Sequence, residues 1–177
     1  MPQVDYDALI AKIPDFPKPG VTFQDITTLL KDTKGFGAVI DDLAGHFADA
    51  GVTKVVGAEA RGFMIGAPVA YRLGAGFVPA RKPGKLPRET RSQEYDLEYG
   101  TDKLEIHEDA IEADDVVLIV DDLIATGGTA VAQAKLIESF GAKLVGFGFL
   151  MELETEFNPR ELIEREVGVE LYSLVQV

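Results

Sequence analysis

The stretch VVLIVDDLIATGGT, Val116 to Thr129, constrains this chain more than any other. Val116 to Val120 is an unbroken aliphatic and β-branched run, the pattern of a strand buried on both faces. Such strands belong to parallel sheets covered by helices. Asp121 and Asp122 follow at once, so the strand delivers two carboxylates to its C-terminal edge, where open α/β sheets bind ligands. Thr126-Gly127-Gly128-Thr129 then opens a helix. Glycines let backbone N–H groups converge, the helix N-terminus adds partial positive charge, and two hydroxyls donate hydrogen bonds. That suits a phosphate monoester. No Gly-Lys-Ser/Thr follows, which excludes a Walker A loop. The paired acids can accept from vicinal hydroxyls. A phosphate cup beside a diol clamp points to ribose 5-phosphate.

The rest of the chain agrees with an α/β fold. Asp5 to Ile13 places Leu9, Ile10 and Ile13 on one helical face with Asp5 as N-cap. Pro14, Pro17, Pro19 and Gly20 make an irregular arm before the extended Val21-Thr22-Phe23. Phe36, Val39, Ile40, Leu43 and Phe47 predict a helix that Asp32 starts and Gly51 ends. Strands are expected at 55–58, 77–78, 144–151 and 171–175, with helices up to Leu73, over 129–140 and after Asn158-Pro159. Tyr95 to Ile106 breaks that rhythm and reads as an antiparallel hairpin around Tyr99-Gly100-Thr101. At 177 residues, one domain is expected.

Charge narrows the partners. Seventeen basic and 30 acidic side chains leave a net charge of −13, so a nucleic acid or an anionic membrane surface is an unfavourable partner. The absence of cysteine excludes disulfides, thiolate metal sites and cysteine nucleophiles. Two histidines, His46 and His107, are too few for a histidine metal cage. With no signal-like start and no long apolar run, a cytoplasmic protein is expected. Against that acidity, Arg81, Lys82, Lys85, Arg88 and Arg91 crowd into eleven positions around Pro83, Gly84 and Pro87. A long cationic loop of this kind reads as a lid that steers a polyanion. Arg61, at a strand end, can make a bidentate contact to a diphosphate.

The Asp-Asp and Thr-Gly-Gly-Thr run resembles the signature of type I phosphoribosyltransferases, which use phosphoribosyl pyrophosphate (PRPP). Pro14 to Ile26, Glu59-Ala60-Arg61-Gly62-Phe63, Arg81 to Pro87 and Leu97-Glu98-Tyr99-Gly100 resemble, in turn, the base-binding arm, pyrophosphate loop, mobile lid and catalytic hairpin of the adenine-using branch of that family. Gln24 stands where the family usually carries Arg or Lys.

The resemblance implies a central parallel sheet flanked by helices, an N-terminal arm over 1–30, a lid and hairpin over 81–100, and transfer of the phosphoribosyl group to adenine, giving AMP and pyrophosphate. It implies that Ala125, Thr126, Gly127, Gly128 and Thr129 hold the 5-phosphate and that Asp121 and Asp122 hold the ribose. Glu59, Ala60, Arg61, Arg81, Lys82 and Lys85 would meet the pyrophosphate. Thr22, Phe23, Leu123 and Leu153 would meet adenine, and Glu98 would handle the purine proton. Magnesium would come with PRPP and water rather than in a protein cage, and the family suggests a homodimer. Three other readings compete: salvage of a 6-oxopurine on the same fold; a PRPP-sensing regulator of nucleic acid, which the charge of −13 disfavours; and a purely structural module, which leaves the Asp-Asp and Thr-Gly-Gly-Thr arrangement unexplained.

Overall fold

The computed structural model describes residues 4–96, 100–154 and 158–177. Its first element, α1 (Tyr6–Leu9), is capped by Asp5, whose side chain accepts from the Ala8 N–H. The helix expected to run to Ile13 stops there, and β1 (Ala11–Ile13) pairs antiparallel with β2 (Phe23–Asp25). Two local causes account for the difference. Ile13 precedes Pro14, and a residue before proline is pushed out of the α region. Thr28 Oγ1 accepts from the Ala11 N–H at 3.2 Å and donates to the Leu9 carbonyl at 2.6 Å, taking groups that a longer helix would have paired internally.

After α2 (Thr27–Leu30), α3 (Thr33–His46) starts at Asp32, whose carboxylate accepts from the Gly35 N–H at 2.7 Å. It buries Val39, Ile40 and Leu43 and ends before the expected Gly51. The chain continues through β3 (Lys54–Ala58), α4 (Arg61–Leu73), β4 (Gly76–Ala80), β5 (Thr90–Asp96), β6 (Thr101–His107), β7 (Val116–Ile124), α5 (Gly128–Ser139), β8 (Lys143–Glu152), α6 (Pro159–Glu166) and β9 (Glu170–Gln176). Asn158 caps α6 by accepting from the Glu161 N–H at 3.2 Å, and Pro159 needs no hydrogen bond at its first position.

Five strands form one parallel sheet in the order β4-β3-β7-β8-β9. Val117, Leu118, Ile119 and Val120 of β7 are fully buried, as an aliphatic run between two helical layers must be. One face packs against α5, α6 and the β5–β6 hairpin, through Leu104, Ile106, Leu136, Ile137 and Ile163. The other packs against α1 to α4, through Leu29, Leu43, Ile65 and Val69. The hairpin strands are longer than expected, running from Thr90 to His107, because Leu104 and Ile106 anchor β6 in the first core and β5 pairs with it along its whole length. No helix among the described residues is long and apolar enough to cross a membrane.

The connections set the site. From β3 the chain crosses through α4 to β4 on one side, and from β7 through α5 to β8 on the other. The neighbouring C-terminal ends of β3 and β7 are therefore a topological switch point, the usual ligand crevice of an open α/β sheet.

Candidate active site

Beyond β7 lies a cavity of about 220 Å³, lined by Arg61, Asp121, Asp122, Leu123, Ala125, Thr126, Gly127 and Thr129, with Gln133 and Phe149 among its deeper walls. Six of the seven residues expected at the phosphate and ribose thus share one cleft with Arg61 and Leu123. Gly128 opens instead onto an adjoining cavity with Tyr95 and Asp96. Gly127 makes the turn: its φ is +91°, and a Cβ there would sit 3.1 Å from Leu162 Cδ2. Only glycine enters that backbone region without strain. A Cβ at Gly128 would find nothing closer than 3.9 Å. Among the described residues no side chain caps α5, which leaves first-turn N–H groups available to an anion.

The acid pair is tightly enclosed. Asp122 is 5% exposed, and its Oδ2 lies 2.8 Å from Arg61 Nε, an ion-pair distance without hydrogen-bond alignment. Asp121 Oδ1 accepts from the Asp122 N–H at 2.9 Å. Burial, and then the negative charge of Asp122, push the Asp121 carboxyl well above the usual carboxylate range. Gly62, in the first turn of α4, makes this packing feasible, since a Cβ there would come within 2.6 Å of Asp121 Oδ1. Arg61 also stands over the Phe23 ring, its guanidinium carbon 5.4 Å from the centroid. One cation thereby links the acids to the arm. Phe16 packs edge-on against Phe23 at 5.3 Å. Thr22 is exposed just before β2, and no described contact draws it to the cleft.

A second cluster gathers from three segments. Glu59, after β3, accepts from the Lys82 backbone N–H at 2.7 Å and pairs with Arg81 at 3.4 Å. The Lys82 N–H and, less strongly, the Arg81 side chain hold the Glu59 carboxyl below the usual range. Arg81 lies over the Phe63 ring at 5.9 Å, and Ala60 N-caps α4 directly before Arg61. The Lys85 N–H donates to the Lys82 carbonyl at 3.3 Å, and its charge bears on Glu59. The five basic residues expected as one lid separate here. Arg88 pairs with Asp109, and Arg91 pairs with Glu108 and donates to the Ser139 carbonyl at the end of α5. Those two fasten the hairpin and α5, since their partners are Asp109, Glu108 and Ser139 rather than Glu59.

Leu153 follows β8, its N–H donating to the Ile124 carbonyl at 2.9 Å. Next to it, Glu152 is 7% exposed and receives Arg160 at 3.1 and 2.6 Å and Ser173 at 3.0 Å, a clamp across β8, β9 and α6 that sequence spacing did not reveal. Tyr95, Asp102 and Gln133 were not singled out from the sequence either. The pairing of Asp102 with Tyr95 could have been read only from the hairpin register. Glu98 lies outside the described residues. His46 is held by Glu170 at 2.8 Å and stacks on Tyr172 at 3.7 Å, far from the cleft. His107 Nδ1 is buried with no partner among the described residues.

Residues 27–166 match the family described as phosphoribosyl transferase domain. The adenine phosphoribosyltransferase of Serratia proteamaculans (strain 568) is 57% identical over 166 residues, covering 94% of this chain and 83% of the relative. The crystal structure of adenine phosphoribosyltransferase from Thermoanaerobacter pseudethanolicus aligns with a TM-score of 0.91 at 51% identity, over 98% of both chains. That of the Giardia lamblia APRTase complexed with 9-deazaadenine aligns at 0.90 and 38% identity, over 98% of this chain and 96% of that one. The cleft built from the ends of β3 and β7 thus sits in a chain that belongs to the phosphoribosyltransferase family, among its adenine phosphoribosyltransferases.

Proposed function

We propose that this chain transfers the 5-phosphoribosyl group of PRPP to adenine, giving AMP and pyrophosphate. The carrying observation is the cleft at the β3–β7 switch point, where a buried acid pair adjoins the Gly127 turn and the uncapped start of α5. The first-turn N–H groups and the Thr126 and Thr129 hydroxyls bind the 5-phosphate. Asp121 and Asp122 take the ribose hydroxyls and favour the positive charge that grows at C1 as the bond to pyrophosphate lengthens. Glu59 orders Arg81 and Lys82, which with Arg61, Ala60 and Lys85 receive the pyrophosphate. Adenine lies between Phe23 and Leu123, with Thr22 and Leu153 at its edges, and its N9 attacks C1 while the N9 proton passes to Glu98.

The donor set suits a magnesium ion brought by the substrate. Asp122 Oδ2 accepts no aligned hydrogen bond among the described residues and is met by Arg61 Nε at 2.8 Å. Asp121 and Asp122 would face the ion, with substrate oxygens and water completing its shell. When bound, it would stabilise the charge of the departing pyrophosphate. The reading takes 1–177 as one phosphoribosyltransferase domain, with 1–30 an arm over the base and 81–100 a mobile lid and hairpin. Exposed apolar side chains on α4 (Met64, Tyr71) and in the arm (Ile13, Phe16, Val21) support a homodimer. A cytoplasmic location belongs to the same proposal, since a chain without cysteine asks nothing of an oxidising compartment.

A backbone carbonyl near Thr22 can accept from the 6-amino group of adenine, whereas hypoxanthine and guanine present an oxygen there. Polar mismatches in a desolvated pocket discriminate strongly, so adenine should exceed both by at least about 10²-fold in kcat/KM. Incubation with PRPP, Mg²⁺ and each base, with chromatography of the products, tests this. IMP or GMP within about tenfold of AMP would replace the adenine reading with a 6-oxopurine one.

A further inference from the structure

We propose that Asp102 is a positioning residue that holds the Lys82 ammonium ready for the pyrophosphate group, an inference that rests on the PRPP reading above. Lys82 is fixed at both ends: its backbone N–H donates to Glu59 Oε1 at 2.7 Å, and its Nζ donates to Asp102 Oδ2 at 2.8 Å. Asp102 belongs to β6, opposite Tyr95 in the hairpin register. Its carboxylate is anchored independently of the lysine. Oδ1 accepts from the Lys103 N–H at 2.8 Å, and Oδ2 accepts also from the Tyr95 hydroxyl at 3.2 Å. That hydroxyl lies next to Thr129 of the phosphate cup. The acid side chain is 20% exposed and the lysine 58%, so the acid is the fixed member and the lysine the flexible one.

An ammonium has three donors and no acceptor. Asp102 takes one and leaves two for an anion. A free lysine forfeits much rotamer freedom when a ligand immobilises it, and a lysine already held loses less. The opposing effect, partial neutralisation of the ammonium by the carboxylate, is small for a pair this exposed. Positioning therefore outweighs neutralisation. The same carboxylate joins the two halves of the site: Lys82 on the pyrophosphate side reaches, through Asp102 and Tyr95, the Thr129 side of the cup.

The test is titration calorimetry of inorganic pyrophosphate into the full chain, as wild type, Asp102→Ala, Asp102→Asn, Lys82→Ala and the Lys82→Ala/Asp102→Ala double variant. Asp102→Ala should weaken binding about tenfold, the scale of one lysine's rotamer freedom. Asp102→Asn, which keeps an acceptor oxygen, should fall between Asp102→Ala and wild type. The double variant should bind no more weakly than Lys82→Ala alone, because Asp102 acts only through that lysine. Tighter or unchanged binding by Asp102→Ala would make the acid a competitor or a bystander and overturn the proposal. So would an equal loss on adding Asp102→Ala to Lys82→Ala, which would mark a merely structural role, or a wild type that does not bind pyrophosphate. Should Asp102→Ala fail to fold, Asp102→Asn carries the test: binding weaker than wild type, with no further loss when added to Lys82→Ala, would support positioning, and wild-type-like binding would refute it. AMP formation by the same wild-type preparation is scored separately: its absence overturns the catalytic reading and leaves the pyrophosphate cycle to judge Asp102.

Discussion

The two halves of the site are built on opposite principles. The half proposed for phosphate and ribose is one continuous piece of chain, strand, acid pair, glycine turn and helix, buried between two cores. The half proposed for pyrophosphate is assembled from the loop after β3, the segment after β4 and the hairpin, and charged contacts hold it at the surface. Burial fixes the first half, so it should resist salt and fail by steric or polar substitution. Charge fixes the second, so it should respond to salt and pH while the fold persists.

The sharpest way to break that contrast is at the acid pair. Asp121→Asn with Asp122→Asn should lower kcat/KM for PRPP by about 10²-fold or more, the scale of removing preorganised electrostatic groups, while melting changes little. Collapse of the fold without a specific loss of PRPP use would make the acids structural.

Next comes the glycine turn. Gly127→Ala forces a side chain into a left-handed conformation against Leu162 and should cost about 1–3 kcal/mol of stability. Gly128→Ala has room and opens onto the adjoining Tyr95–Asp96 cavity rather than the cleft, so it should keep both melting and the KM for PRPP near wild type. Equal melting losses in both would contradict the assignment of the turn to Gly127.

A smaller effect separates the basic residues. Neutralising Arg81, Lys82 and Lys85 together should slow PRPP capture by about tenfold at low salt and flatten its ionic-strength dependence. Neutralising Arg88 and Arg91 should leave capture alone, since their partners are Asp109, Glu108 and Ser139. Stopped-flow binding at two salt concentrations distinguishes the pairs, and equal responses would restore a single five-residue lid.

The smallest effect is in pH. Glu59 and Asp102 have lowered pKa values, the first chiefly through the Lys82 N–H and the second through the Lys82 ammonium. Their contribution is present above the ordinary carboxylate range and is lost as pH falls through the lowered values. Asp121 has the opposite sign. The folded state holds its proton more tightly than the unfolded chain does, so its contribution declines as pH rises from the ordinary aspartate value toward the raised one. Melting of wild type and Asp121→Asn across this range should show the decline only in wild type. An unchanged slope in the variant would place the raised carboxyl elsewhere.

What was legible in the sequence was local. Val116 to Val120 could be read as a doubly buried strand because burial on both faces leaves no polar position to interrupt the run, and the turn before α5 because its left-handed position requires the glycine at 127. Asp32 and Asn158 were readable as caps for the same reason: a cap acts on an amide three residues away. The early end of α1 was not legible, because Thr28, seventeen residues beyond Ala11, competes for the backbone there. Nor was the division of the basic stretch, since Arg88 and Arg91 take Asp109 and Glu108 while Arg81 takes Glu59, partners 17 to 22 residues away in the chain. The sequence by itself determined the strand, the acids and the turn that succeed one another along the chain. Only the tertiary structure decided which charges meet, because Glu59, Lys82 and Asp102 become neighbours through sheet order and hairpin register, and a local pattern encodes neither.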